Sequence, residues 1–199
     1  PRKMLSQGIV RRQVRHFLCK DDWVDIDIIN CHPNILRWLC GKVNIKCPML
    51  TRYCKKRDKV LQAIMKESGF DRDTTKTCFI SLMNGGKLTN YLIENGASTD
   101  GNYEFLDKFD KEMRNITKKI IKKENKDLYN ELTKDKDYNK SGSFMSKYLQ
   151  IFEVALLQIL FEAAQEKGLI SEKDSNMCLS HDGGMIPKSA FTEENTIES

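Results

Sequence analysis

The chain has 199 residues, of which 31% are charged and 40% are apolar. This length suits one compact domain or two small lobes, and the composition indicates a soluble, globular protein rather than a disordered one. The longest apolar run, 154–161, is interrupted by Gln158 and is too short to cross a bilayer, so no membrane association is expected. The opening residues, PRKMLSQGIVRR, include no apolar core of a secretory signal. We expect an intracellular protein that is part of a longer polypeptide. The sequence indicates neither its compartment nor its oligomeric state.

The net charge is +5, and the basic residues are concentrated at 11–15, 55–57 and 118–123. Such clusters suit a polyanionic partner, although each can equally be the solvated face of a helix. The seven cysteines include no C-x-x-C pair. Cys40, Cys47 and Cys54 recur every seven residues on roughly one helix face, which favours small core residues over zinc ligands.

In chain order, the sequence first predicts a short basic amphipathic segment at 8–19 and a β-branched strand at 23–29 that ends before Pro33. A helix then begins with NILRWLCGKV and ends near Gly41. We expect a second helix at 49–66, stopped by Ser-Gly at 68–69, and a third at 71–83, capped by Asp71 and ended by Asn-Gly-Gly at 84–86. A long Lys- and Glu-rich helix at 103–132 should lie on the surface. Residues 141–143, Ser-Gly-Ser, predict a break before an apolar helix at 144–167, which we expect to be the buried spine. Two short strands around residues 181–184, His-Asp-Gly-Gly, predict a tight hairpin. The predicted fold class is α+β, mostly helical, with a small antiparallel sheet.

Two aspartates lie inside the predicted first strand. Side chains two apart share a strand face, so Asp25 and Asp27 point one way while Val24, Ile26 and Ile28 point into the core. If the hairpin presents Asp182 beside them, the carboxylates repel one another unless a cation lies between them, and Mg²⁺ suits a site with few carboxylates. The alternative is one strand acid and one turn acid that are unrelated in space.

The helix at 71–83 carries cations where helices usually avoid them. Arg72 and Lys76 are four apart on one face near the amino end, and Ile80 and Asn84 continue the same line. Free backbone N–H groups at that end also favour anions, so a triphosphate would explain the arrangement. A solvated helix with two ordinary basic residues is the alternative.

These motifs together resemble those of family A DNA polymerases. The pattern Arg72-x3-Lys76-x7-Asn84-Gly85 resembles the family's fingers helix, R-x3-K-x7-Y-G, and 27–36, DIINCHPNIL, resembles motif A, with an ending closer to the D-x-x-S-L-Y-P-S-I form of family B. Residues 180–183, SHDG, resemble motif C, V-H-D-E, and Gln150 lies where the family places a glutamine that touches primer and template. Residues 6–11, SQGIVR, resemble L-Q-N-I-P-x-R. The stretches QGIVRR and NCHPNIL are also similar to sequences of divergent family A-like polymerases of viruses and mobile elements.

The resemblance implies a palm-and-fingers core. Residues 1–32 would form the palm entry and motif A strand, 33–100 the fingers helices, and 101–199 the palm helices and motif C hairpin. It implies a DNA-directed DNA polymerase that adds deoxynucleotides to a primer 3′ end, with a primer–template and a deoxynucleoside triphosphate as partners.

The resemblance also assigns roles to single residues. Asp27 and Asp182 would hold two Mg²⁺ ions, Lys76 would meet the triphosphate and act in catalysis, and Arg72 would clamp the terminal phosphate. The nucleotide pocket would include Ile80, Asn84 and His32, while the nucleic acid would be contacted by Gln150, His181 and Arg11.

Three positions depart from the family pattern. Asn84 replaces a tyrosine, His32 replaces the residue that excludes a 2′-hydroxyl, and Gly183 replaces a glutamate near the metals. These departures leave open a primase-polymerase or RNA polymerase of the same fold, and a catalytically degenerate nucleic-acid-binding module.

Overall fold

Helices dominate the part of the chain that the computed structural model describes, which comprises residue 17 and residues 19–123, 126–170, 178–180 (backbone) and 183–191. In chain order the elements are β1 (Trp23–Asp27), α1 (Cys31–Lys42), α2 (Pro48–Lys55), α3 (Arg57–Ser68), α4 (Arg72–Met83), α5 (Leu88–Glu94), α6 (Glu104–Lys123), α7 (Lys126–Thr133), α8 (Lys140–Glu166), β2 (Cys178–Ser180), β3 (Gly183–Pro187) and a short 3₁₀ turn, Lys188–Ala190. The predicted α+β class with mostly helical content is confirmed. The assignment of palm and fingers stays a prediction.

The chain divides into two compact units. Unit 1 comprises 1–31 and 152–199, and unit 2 comprises 32–151. The predicted boundaries lay after residues 32 and 100, whereas this division falls after residues 31 and 151. Unit 2 is therefore one continuous stretch of chain, and unit 1 is built from two stretches.

The first helix begins earlier than the sequence predicted. We expected Pro33 to separate the strand from the helix, but α1 already begins at Cys31. Proline is tolerated in the first turn of a helix, where its missing N–H would have no intrahelical acceptor anyway. The expected helix start after Pro33 was therefore wrong, while the end near Gly41 was within a residue of the observed Lys42.

The single helix expected at 49–66 is two helices. Lys56 separates α2 from α3 with a non-helical backbone, at φ −130° and ψ 37°. The amino end of α2 is capped from far along the chain, because the Glu112 carboxylate accepts hydrogen bonds from the amides of Met49 and Leu50 at 3.0 and 2.8 Å. A carboxylate there satisfies orphan donors and complements the helix dipole. The predicted stop is confirmed, since Gly69 ends α3 at φ +75°.

The helix predicted at 71–83 is present as α4. Its amino end is capped by Asp71, whose side chain accepts a hydrogen bond from the Thr74 amide at 2.7 Å. This bond to the ionised form lowers the pKa of Asp71. The helix ends at Asn84, as the Asn-Gly-Gly sequence predicted, and α5 follows without having been predicted.

The long lysine-rich helix expected at 103–132 is also two helices, α6 and α7. α6 does not simply lie on the surface, because its apolar residues recur every three or four positions and are buried: Leu106, Phe109, Met113, Ile116 and Ile120. The lysines occupy the remaining positions, so the sequence correctly indicated a solvated face but missed the core face.

Aromatic rings from three helices meet in the core of unit 2. Tyr53 of α2 stacks on Phe79 of α4, with ring centroids 4.2 Å apart. Phe109 of α6 meets Phe79 edge to face at 4.9 Å. All three side chains are at most 1% exposed. Burying each contributes about 1.5–3 kcal/mol, so this cluster fixes the packing of α2, α4 and α6.

The longest helix, α8, differs from the expected buried spine. Its apolar residues surround the helix, so packing covers only some of them, and Ile151, Val154, Leu156 and Ile159 are 37–60% exposed. The break expected at 141–143 was wrong too, since α8 begins at Lys140. By length and composition α8 is apolar enough to cross a membrane, but core helices of water-soluble proteins share these features and a third of its most apolar window is buried.

Unit 1 contains an antiparallel sheet in the order β1-β3-β2. Ser180 pairs with Gly183, so the predicted hairpin strands are confirmed, and β1 adds to the far edge of β3 with Asp27 opposite Gly183. Ile26 packs with Leu160 and Phe161 against a cluster formed by Ala164, Leu169, Ile170 and Ile186. Ile26 of β1 and Ile186 of β3 thus attach the sheet to the core of unit 1.

Candidate functional site

The two strand aspartates occupy the solvent face of β1, as predicted. Asp25 and Asp27 are exposed, whereas Val24 and Ile26, which alternate with them along the strand, are partly buried. Asp27 is the last residue of the strand and lies opposite Gly183, which follows Asp182 in the sequence. Asp182 and His181 themselves lie outside the described residues.

Gly183 has a steric role beside Asp27. A Cβ built on Gly183 would lie 2.3 Å from Asp27 Oδ1 and 2.3 Å from the Ile26 carbonyl oxygen. Any side chain there would displace the Asp27 carboxylate or break the pairing of β1 with β3. The departure from H-D-E at this position therefore has a local physical reason, which is lack of space.

Magnesium binding at this edge stays a prediction. Within the described ranges, no group of three or more His, Cys, Asp and Glu side chains is arranged to hold a metal ion. Of the two proposed ligands only Asp27 is described. It belongs to unit 1, whereas Lys76 belongs to unit 2.

The predicted basic residues of α4 are both engaged by acids. Arg72 donates to Asp58 at 2.8 Å, and Lys76 donates to Asp73 at 2.9 Å. All four side chains are partly or largely exposed. Exposed ion pairs contribute about 0–1 kcal/mol, so a more strongly bound anion can replace the carboxylates. Ile80, on the same helix, is 50% exposed.

Two other predicted residues come together in unit 2. Asn84, at the end of α4, and Gln150, on α8, line one open cavity of about 390 Å³. We call this cavity the Asn84 cleft; its other lining residues are Lys136, Tyr138, Asn139, Gly142, Ser143, Ser146 and Lys147. Of the remaining predictions, His32 is half-buried in the first turn of α1, and Arg11 lies outside the described residues.

Asn139 connects the two segments that form the cleft, the end of α4 and the start of α8. Its backbone is left-handed, at φ +45°, and its side-chain amide donates to the Asn84 carbonyl oxygen at 2.8 Å. Its side-chain oxygen accepts from the Gly142 amide at 3.3 Å, and its own carbonyl accepts from the Ser143 amide at 2.9 Å. One residue therefore caps the start of α8 and ties it to the end of α4.

Glycine allows this close approach. A Cβ on Gly142 would lie 1.9 Å from the Asn84 carbonyl oxygen. Gly85, at φ +77°, faces the same contact, because a Cβ there would lie 2.6 Å from the Asn139 side-chain oxygen. The two glycines bring helices that are distant in sequence to within backbone contact.

The cleft combines charge, hydrogen-bonding groups and an aromatic ring. Lys136 and Lys147 supply two cations, and the Lys147 ammonium donates to the Leu132 carbonyl at 2.7 Å, which fixes its position. The Tyr138 side chain is 79% exposed. Lysines attract phosphates, and an exposed aromatic ring can stack on a nucleobase.

Sequence reasoning missed most of these residues. Lys136, Tyr138, Asn139 and Lys147 were not predicted as site residues. A signal was present, since 134–140 reads KDKDYNK, an aromatic residue among lysines in a polar segment.

Of the three cysteines expected to be small core residues, Cys40 is buried, whereas Cys47 and Cys54 are half-buried. Burial raises the pKa of Cys40 and of Cys78 to about 12, and that of Cys54 to about 11. With pKa values this high, these thiols are protonated at neutral pH.

Comparisons with known proteins gave one informative relative. No family model matches the sequence, and no solved structure matches it. A curated protein of Sputnik virophage, named "Putative helicase V13", is 30% identical over 181 residues. The match covers 88% of this chain but 22% of the relative, so the chain spans about a fifth of the length of the protein it resembles.

This relative corrects the predicted function. Its name describes a helicase, which is a nucleic-acid-related function but not nucleotidyl transfer. The predicted template-directed addition of deoxynucleotides was therefore wrong, and the alternative polymerases fit no better. The resemblance to family A polymerases was based on short motifs, which similar residue patterns can reproduce without shared chemistry.

Proposed function

We propose that this chain binds single-stranded nucleic acid in the Asn84 cleft, as part of a longer helicase-type protein. The relative supports a nucleic-acid-related role for a protein about five times as long as the matched region. The net charge of +5 supports an anionic partner. The observation that carries the proposal is the composition of the cleft, in which two lysines and an exposed tyrosine accompany Asn84 and Gln150.

Each part of the cleft has a role in the proposal. Lys136 and Lys147 neutralise backbone phosphates. Tyr138 stacks on a base, which requires an unpaired strand whose bases are open to one face. Asn84 and Gln150 offer amide donors and acceptors to base edges or sugars. Magnesium binding by Asp27 and Asp182 is separate from this proposal and stays a prediction.

The first prediction concerns Tyr138 and Lys136. Fluorescence anisotropy with a labelled single-stranded oligonucleotide should show binding by the 199-residue chain that weakens as salt rises. Tyr138→Ala should weaken it by roughly 5- to 150-fold, since a stacked base contributes about 1–3 kcal/mol. Lys136→Gln should lower the slope of log affinity against log salt by about 0.7, the value for one phosphate contact on a single strand.

Lys119→Gln is the matched control, because Lys119 is exposed on α6 and does not line the cleft. It should leave both the affinity and the slope close to those of the parent. Absence of binding by the parent, or equal affinities for Tyr138→Ala and Lys119→Gln, would contradict the proposal.

A further inference from the structure

A second cavity in unit 2 carries an unbalanced positive charge. It has a volume of about 440 Å³, and residues of α2, α3 and α6 line it. We call it the basic groove; its charged lining residues are Arg52, Lys56, Lys59, Lys108, Glu67 and Glu104. It shares no lining residue with the Asn84 cleft.

Four cations and two acids leave the groove with two excess positive charges. Lys108 and Glu104 pair with each other. In the part of the chain that the structure describes, no ion pair involves Arg52, Lys56 or Lys59. Three exposed cations therefore face one cavity, and Glu67 is the one acidic lining residue besides Glu104, which pairs with Lys108.

Helix stability does not explain two of these cations. Lys56 is the residue before α3 and makes no side-chain capping bond, and Lys59 follows in the first turn. Positive side chains at a helix amino end are unfavourable, because the helix dipole is positive there. Arg52, in contrast, lies in the last turn of α2, where a cation is favourable.

Arg52 is held in place by an aromatic ring. Its guanidinium lies over the Phe105 ring, 5.3 Å from the centroid. Phe105 itself packs edge to face on Phe79 and against Phe109 of the core, at 6.1 and 6.4 Å. A guanidinium stacked on a fixed ring keeps its in-plane N–H donors free, and these match the oxygens of a phosphate.

We propose that the basic groove binds the phosphodiester backbone of the same nucleic acid, through Arg52, Lys56 and Lys59. The inference rests on the proposed function, and it adds a second contact surface that recognises backbone and not bases. A surface of this kind raises affinity without sequence preference and makes binding more sensitive to salt.

The test is the second prediction and uses the full chain. The triple variant Arg52→Gln, Lys56→Gln, Lys59→Gln should bind long single-stranded oligonucleotides of different sequence with equally reduced affinity. Its slope of log affinity against log salt should fall by about 2, since each phosphate contact contributes about 0.7. The charge-preserving variant Arg52→Lys, Lys56→Arg, Lys59→Arg should keep most of the slope, and Lys119→Gln should keep all of it.

The possible outcomes are distinct. An unchanged slope in the glutamine variant, with a matching circular dichroism spectrum and Tyr138→Ala still impaired, would overturn the groove and leave the cleft standing. If the glutamine variant instead lost binding of a fluorescent nucleoside triphosphate but kept its affinity for oligonucleotides, the groove would be a free-phosphate site and the proposal would be overturned. Failure of the parent to bind any oligonucleotide would reject the proposed function itself.

Discussion

At the scale of single residues, Asp71 shows how one side chain sets both structure and pH response. Its carboxylate accepts the Thr74 amide and begins α4. This contact lowers the pKa of Asp71 below the ordinary 3.8. A lowered folded-state pKa stabilises the fold at pH values above the ordinary pKa, and the stabilisation is lost as pH falls through the folded-state pKa.

The third prediction follows from this sign. Asp71→Ala should lower the melting temperature at pH 7, and its deficit relative to the parent should shrink as pH falls below about 3.8, the ordinary carboxyl pKa. Asp71→Asn is the matched control, because asparagine also caps helices and does not titrate. Thermal unfolding followed by circular dichroism at pH 7, 5 and 3 measures this. If Asp71→Ala lowers the melting temperature by the same amount at every pH, the charge of Asp71 plays no part in its stabilising effect.

At the scale of elements, a glycine can either lower or raise the stability of the fold, depending on what surrounds its Cα atom. Gly142 lies in the first turn of α8, where a Cβ would be 1.9 Å from the Asn84 carbonyl oxygen. Gly41 lies near the end of α1 and a Cβ there would meet nothing within 4 Å. Within a helix glycine is less favourable than alanine by about 0.5–1 kcal/mol, so Gly41 weakens its helix while Gly142 permits a contact.

The fourth prediction is that alanine has opposite effects at these two positions. Gly41→Ala should raise the free energy of unfolding by up to about 1 kcal/mol. Gly142→Ala should lower it, because a backbone oxygen cannot move aside as a flexible side chain would. Urea denaturation of both variants measures the difference. Two changes of the same sign would contradict the close contact between Gly142 and the Asn84 carbonyl oxygen.

At the scale of the whole molecule, the two units differ in how many buried apolar side chains they contain. Most of the buried apolar side chains belong to 32–151, including the cluster of Tyr53, Phe79 and Phe109. Unit 1 has a smaller described core around Ala164, Leu169, Ile170 and Ile186. Since unit 2 is also continuous in sequence, it contains most of what an independent folding unit needs.

The fifth prediction is that a fragment of residues 32–151 folds by itself. It should have a helical circular dichroism spectrum and a single cooperative thermal transition. It should also keep the salt-dependent oligonucleotide binding of the longer chain, since the Asn84 cleft and the basic groove both lie inside it. The fragment of residues 152–199 is the control and should show no cooperative transition. A broad, non-cooperative melt of the fragment 32–151 would contradict the division.

The sequence by itself determined the features that depend on near neighbours. The alternation in β1, the Asp71 cap, the Asn-Gly-Gly end of α4 and the hairpin strands around 181–182 were all predicted, because dihedral preference and local hydrogen bonds decide them. Where the helix expected at 49–66 divides at Lys56, local pattern was insufficient, since apolar residues continue at helical spacing across the junction. The start of α2 also depends on a distant element, because Glu112 of α6 caps it.

Only the tertiary structure decided the candidate sites. Asn84 and Gln150 were predicted for separate roles, and their common cleft depends on Asn139 and on two glycines that let α4 and α8 approach. The groove likewise needs cations of α2 and α3 to face Phe105 of α6. Contacts of this kind form when packing of the whole unit offsets the entropy of closing long loops, and a local sequence pattern does not encode which distant partner is met.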